Sequence, residues 1–120
     1  MGERDQTTNG EDRRRYRRKY MLFEIPAYDA ETRKLIGVVQ DINERGLQLE
    51  GYEVEKNASK AIVLDISSYL KGSRLSLIAQ CRWCRQEGPP GNYASGFEIT
   101  AIGEDHKKNL LKLIAAMALG

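Results

Sequence analysis

Between Arg13 and Lys19 seven consecutive positions hold five arginines and one lysine, in the string Arg-Arg-Arg-Tyr-Arg-Arg-Lys. A guanidinium is planar and always charged. Its forked donors match phosphate oxygens or the O6 and N7 edge of guanine, so the run offers chemistry for an anionic partner. A helix would spread these side chains around its circumference and a strand would send them to both faces, so no regular element buries them. The run therefore belongs on a surface, where taken alone it also reads as a solvated basic arm.

A second stretch with chemical content is Asp41-Ile42-Asn43-Glu44-Arg45-Gly46. As local structure it is a hairpin connection: Asp and Asn bond nearby backbone, and Gly46 is expected to supply the positive φ that turns the chain back. As a binding element it offers the Asp41 carboxylate, an acceptor for the N1 and N2 hydrogens of guanine, and a glycine that admits close approach of a ligand. Cys81-Arg82-Trp83-Cys84 spells CxxC, but a regular strand places residues three apart on opposite faces, there is no second pair, and His106 is the only histidine. We therefore expect no metal site and no redox site. With no nucleophile-and-base arrangement either, no catalytic residue is assigned and the chain does not read as an enzyme. Trp83 is expected in the core and His106 on the surface near a helix start.

The elements that must position these residues follow from the hydrophobic pattern. Met21 to Tyr28 and Lys34 to Ile42 read as an antiparallel hairpin in which Pro26 marks an edge or a strand end. Leu47 to Leu49 continues the meander, and Ala61 to Ile66 is a short apolar strand. Leu75, Leu77, Ala79, Cys81 and Trp83 alternate with polar residues along the longest strand, with Ile78 the exception. After the Gly88-Pro89-Pro90-Gly91 loop, Tyr93, Ser95, Phe97 and Ile99 give one more strand that pairs with it. From Gly103 the period becomes helical over about residues 104–118, with Leu110, Leu113, Ile114 and Met117 as the stripe, widened by Leu111 and Ala118. Glu104 and Asp105 fall in the first turn, where the helix dipole favours them. The sum is a mainly β protein: a small six-stranded antiparallel β-barrel with a C-terminal α-helix packed on it.

Length and charge agree with one such unit. The 120 residues are 41% hydrophobic, enough for a single core. Residues 1–12 are polar and are expected to be a disordered tail, leaving 13–120 as one domain with the basic arm at 13–19. The formal net charge is +2, yet from Tyr20 onward acidic residues slightly outnumber basic ones. The basic run is thus an attachment to a near-neutral body. No apolar run approaches the roughly 20 residues needed to cross a bilayer, and the polar start is no secretory signal, so a soluble, cytoplasmic protein is expected.

Arg14 and Arg18 form an RxxxR pair, Asp41 to Gly46 forms a DxNxxG turn, and one predicted hairpin separates them inside a small barrel. This resembles the PilZ domain family of bacterial receptors for cyclic di-GMP, whose signature is RxxxR followed by [D/N]xSxxG. The resemblance extends from Arg13 through the late strand with Gly96 and Phe97 to the C-terminal helix. It implies that Arg14 and Arg18, with Arg13 beside them, bind the phosphates and guanines of cyclic di-GMP. It likewise implies that Asp41, Asn43 and Gly46 hold another guanine and ribose region. Asn43 stands where the family usually has serine. The resemblance further implies a receptor that changes conformation or protein partner on binding and has no cofactor beyond this ligand; the arm is expected to become ordered against the barrel when the ligand binds. A small barrel that binds RNA or single-stranded DNA through the same arm is the alternative. It would show basic and aromatic residues spread along its strands, which the near-neutral body disfavours.

Overall fold

The alternating stretches become six strands and one helix in the computed structural model, which describes residues 23–119. The strands are β1 (Pro26–Asp29), β2 (Leu35–Ile42), β3 (Gly46–Gly51), β4 (Ser59–Asp65), β5 (Arg74–Gln86) and β6 (Tyr93–Ala101), followed by α1 (Glu104–Leu119). Every neighbouring pair is antiparallel, and the order β1-β2-β3-β6-β5-β4 closes into a barrel. Closure falls to the shortest strand, β1, which pairs β2 on one side and β4 on the other. Pro26 is its first residue, where a missing N–H costs the ladder least. The strand therefore starts later than the expected Met21, although Ile25 just before it is fully buried.

Inward-facing residues of all six strands fill the barrel: Ala27, Val39, Leu49, Ile62, Leu75 and Phe97, one from each strand, are all buried. Burying a Leu, Ile or Val side chain contributes roughly 1.5–3 kcal/mol, so this interior is the main stabilising term. Helix α1 inserts Leu110 and Leu113 into the same core. Its apolar stripe is narrower than the periodicity predicts: Leu111 is 44% exposed and Ala118 faces solvent. His106 departs from expectation too. It is half-buried, and its Nδ1 accepts the Ser76 N–H at 3.1 Å, fastening the first turns of α1 to β5.

The chain entering β1 is anchored by Tyr69, in the connection between β4 and β5. Its hydroxyl accepts the Phe23 N–H at 3.1 Å and donates to the Phe23 carbonyl at 3.3 Å, and the two rings meet edge to face at 5.4 Å. Pro26 lies opposite Val38 and the Ile25 carbonyl accepts the Val39 N–H at 3.0 Å, so the described chain before β1 heads toward the Asp41 end of β2. No helix of the described residues is long and apolar enough to cross a membrane.

Candidate functional site

A pocket of about 380 Å³ lies on the outer wall of the barrel, lined by the β2–β3 turn and by β3, β5 and β6. Two strand irregularities shape it. In β2 the register runs from Val39 opposite Leu49 directly to Asp41 opposite Gln48, leaving Gln40 as an extra residue. Strict alternation from the buried Val39 would aim Asp41 inward. The bulge instead leaves Asp41 exposed and returns Ile42 to the core. In β5 the register runs from Cys81 opposite Phe97 to Trp83 opposite Gly96, with Arg82 as the extra residue. Arg82 and Trp83 therefore both line the pocket, where a regular strand would have sent Trp83 into the barrel.

This corrects the expected core placement of Trp83, which is half-buried on the outer wall. The indole lies against Gly96: a Cβ added there would sit 2.2 Å from the Trp83 Nε1. Arg85, two residues on, places its guanidinium 4.6 Å from the indole ring centre. Arg82 donates to Glu98 through Nε at 2.7 Å and also through Nη2. That pair is about half exposed, so it orients Arg82 more than it stabilises the fold. The sequence carries no signal for this part of the site, because the alternation from Leu75 to Trp83 runs on across the inserted Arg82.

The same bulge changes the geometry of the two cysteines. With Arg82 extra, Cys81 and Cys84 both turn toward the interior rather than to opposite faces: Cys81 is fully buried and Cys84 packs against the core. Cys84 Sγ accepts the Val54 N–H at 3.4 Å and Cys81 Sγ donates to the Trp83 carbonyl at 3.3 Å. Burial, with a smaller contribution from neighbouring Cys84, pushes the Cys81 thiol above its ordinary pKa, which disfavours the reactive thiolate. Among the described residues no group of three or more His, Cys, Asp or Glu side chains is placed to hold a metal.

The β2–β3 turn is closed by Asn43. Its Oδ1 accepts the N–H of Arg45 at 2.7 Å and of Gly46 at 3.1 Å, while its own N–H donates to the Gly46 carbonyl at 2.9 Å. The side-chain acceptor is thus spent on the turn, which leaves the amide nitrogen as the remaining polar end of the side chain. The turn is tied to β6 by the Ile99 N–H, which donates to the Arg45 carbonyl at 2.8 Å. Gly46 does not supply a positive φ; that conformation is found at other glycines. Glycine is needed there for close approach, since a Cβ would stand 2.2 Å from the Phe97 carbonyl oxygen on β6.

Asp41, Asn43 and Gly46, expected from the sequence to act together, thus line one pocket. Arg45, Gln48, Arg82, Trp83 and Glu98 join them there. Arg13, Arg14 and Arg18, the disordered-tail assignment for 1–12 and the arm at 13–19 lie outside the described residues. Serine reproduces the turn, because its hydroxyl accepts the same two N–H groups. Asn43→Ser is therefore expected to leave thermal stability within about 0.5 kcal/mol of the parent, whereas Asn43→Ala costs about 1 kcal/mol through the lost acceptor. Thermal melts of the two variants check this, and equal losses in both would remove the turn-closing role.

The pocket is apolar on the Trp83–Gly96 side and carries an acceptor, Asp41, beside two cationic side chains, Arg45 and Arg82. That combination suits a planar heterocycle with donors on one edge and negative charge nearby. The fold is similar to that of the Bacillus subtilis inhibitor of motility MotI/DgrA, with a TM-score of 0.61 and 13% sequence identity over 80% of this chain and 46% of that one. This chain accordingly spans less than half the length of that protein. No curated protein matches. The PilZ domain family model matches residues 12–116, from the start of the basic run almost to the end of α1. A match over most of the chain, on a closed six-stranded barrel with a C-terminal helix, shows that the chain belongs to the PilZ domain family, a family of cyclic di-GMP receptors.

Proposed function

We propose that this domain is a non-enzymatic receptor that binds cyclic di-GMP between the Arg14–Arg18 arm and the outer-wall pocket, and that binding changes the surface offered to a protein partner. The observation that supports this most is the pair of bulges at Gln40 and Arg82, which bring Asp41 and Trp83 onto one outer pocket against the alternation of their strands. Bulges cost ladder hydrogen bonds, and a ligand that needs both side chains accounts for these two meeting at one pocket. The pocket lining itself is balanced, Arg45 and Arg82 against Asp41 and Glu98, so phosphate charge has to be met from elsewhere. The arm supplies it. In this reading the ligand bridges arm and turn, so that segment 13–18 becomes part of the barrel surface only in the complex.

Isothermal titration with cyclic di-GMP, run beside GTP and a short single-stranded oligonucleotide, tests the reading. Saturable heat with cyclic di-GMP alone is the expected result. A flat cyclic di-GMP trace overturns it, and saturable heat with the oligonucleotide instead selects the nucleic-acid alternative. Asp41 gives a sharper check on the guanine assignment. A carboxylate beside phosphates is tolerable only when guanine donors or an arginine engage it, so Asp41→Ala is expected to weaken binding roughly fivefold or more. Tighter binding after removal of Asp41 would mean that its charge merely repels phosphate.

A further inference from the structure

A second cleft, of about 720 Å³, lies along the outer wall formed by β1 and β4. In the closed order β1-β2-β3-β6-β5-β4 that wall is opposite the β3–β6 wall that carries the nucleotide pocket. Tyr28 and Val63, paired across the two strands, form its floor. Arg33 stands at one end, after the β1–β2 turn, and Arg74 at the other, at the start of β5.

The cleft also contains two carboxylates, but both are engaged by their own surroundings. Asp29 receives the Lys60 ammonium at 3.1 Å and the N–H groups of Glu31 and Thr32 at 2.8 and 3.2 Å. Asp65 receives the Ser67 N–H at 3.1 Å and its hydroxyl at 2.6 Å. Desolvation pushes Asp29 upward, but the bonds from Lys60 and the two N–H groups outweigh it and hold the carboxyl below its ordinary pKa. Asp65 is lowered first by the Ser67 bonds, with Arg74 adding only an interaction through space. Among the described residues neither Arg33 nor Arg74 makes an ion pair or a side-chain hydrogen bond.

Arg33 is held there at a cost. Its φ is 64°, in the left-handed region that asparagine or glycine occupies readily and arginine seldom does. That conformation closes the β1–β2 hairpin, where the Arg33 N–H donates to the Asp29 carbonyl at 2.7 Å, and it leaves the guanidinium at the mouth of the cleft without an ion-pair partner among the described residues. The two arginines are separated by about the length of the β1–β4 pairing, three residue pairs or roughly 10 Å along the strands, a span within reach of two acidic side chains on one face of an extended segment whose backbone lies over Tyr28 and Val63.

We propose that this cleft is a docking site for an extended acidic segment of a partner protein, with Arg33 and Arg74 each clamping a carboxylate. The site is separate from the cyclic di-GMP pocket and stands independently of that assignment. Titration of ¹⁵N-labelled protein with a capped hexaglutamate peptide tests it, with inorganic phosphate as a parallel probe. Saturable amide shifts at Tyr28, Arg33, Ser67, Ser73 and Arg74 are expected. The double variant Arg33→Asn, Arg74→Gln, which keeps a side chain suited to the left-handed position, is expected to weaken the peptide at least about tenfold. Its spectrum verifies folding, and its cyclic di-GMP affinity is expected to equal that of the parent. Peptide shifts confined to other residues, a peptide affinity indifferent to the double variant, or phosphate binding as tightly as the peptide would each overturn the proposal. None of these results bears on cyclic di-GMP binding, which the titration above decides separately.

Discussion

Arg14→Ala and Arg18→Ala are each expected to weaken cyclic di-GMP binding at least about tenfold, and the two together about a hundredfold, with little change in thermal stability. A charge-assisted hydrogen bond contributes roughly 1.5–3 kcal/mol, and each arginine offers a fork of two. In the proposed complex the arm is needed because the pocket lining sets Arg45 and Arg82 against Asp41 and Glu98, so the barrel wall alone has no surplus positive charge for two phosphates. The effect should shrink as salt rises, because much of it is attraction between surface charges. Calorimetry at two salt concentrations checks both points. Unchanged affinity in the double variant eliminates the arm as a ligand element. A matching fall in the melting temperature without ligand would assign the arm a structural role instead.

The architecture was legible because most of the chain obeys simple periods. Leu75, Leu77, Ala79 and Cys81 alternate as a strand and are buried as a strand, and Leu110 and Leu113 recur as a helix and are buried as a helix. The elements failed to be legible where a residue was inserted into a ladder. Nothing in the string Val39-Gln40-Asp41 announces that Gln40 is skipped, or that Arg82 is skipped in Cys81-Arg82-Trp83. A bulge reverses the facing of every later residue in its strand, so one unseen insertion sent Trp83 to the wrong face and separated two cysteines that in fact point the same way. Gly46 and Gly96 were visible as glycines, but their reason was not. Each is required by an atom far away in sequence, the Phe97 carbonyl for one and the Trp83 indole for the other. His106 was misjudged on the same ground, since its partner is the Ser76 backbone thirty residues earlier. The turn at Asn43 was readable because its bonds are to residues two and three positions on.

Trp83→Ala is expected to weaken cyclic di-GMP binding by about tenfold to a hundredfold, since stacking of a base on an aromatic ring contributes roughly 1–3 kcal/mol. Arg85 occupies the neighbourhood of the ring, 4.6 Å from its centre, and an exposed cation–π contact of that kind contributes only about 0.5–1 kcal/mol. Stacking of a guanine in the proposed complex therefore outweighs the Arg85 contact. Arg85→Ala should then tighten binding about two- to fivefold by removing that competing contact, whereas Trp83→Phe, which keeps a smaller stacking face, should recover part of the loss. Gly96→Ala gives an independent route to the same point. The added Cβ meets the outer part of the indole rather than backbone, so the ring swings off the wall while the barrel stays folded. Because Trp83 is the only tryptophan in the chain, its fluorescence reports each step. Emission should shift to the red in Gly96→Ala and be quenched in the parent when cyclic di-GMP is added. Parent-like affinity in Trp83→Ala, or binding without any change in the parent's emission, would place the base away from the indole and leave the bulge at Arg82 without a role in recognition.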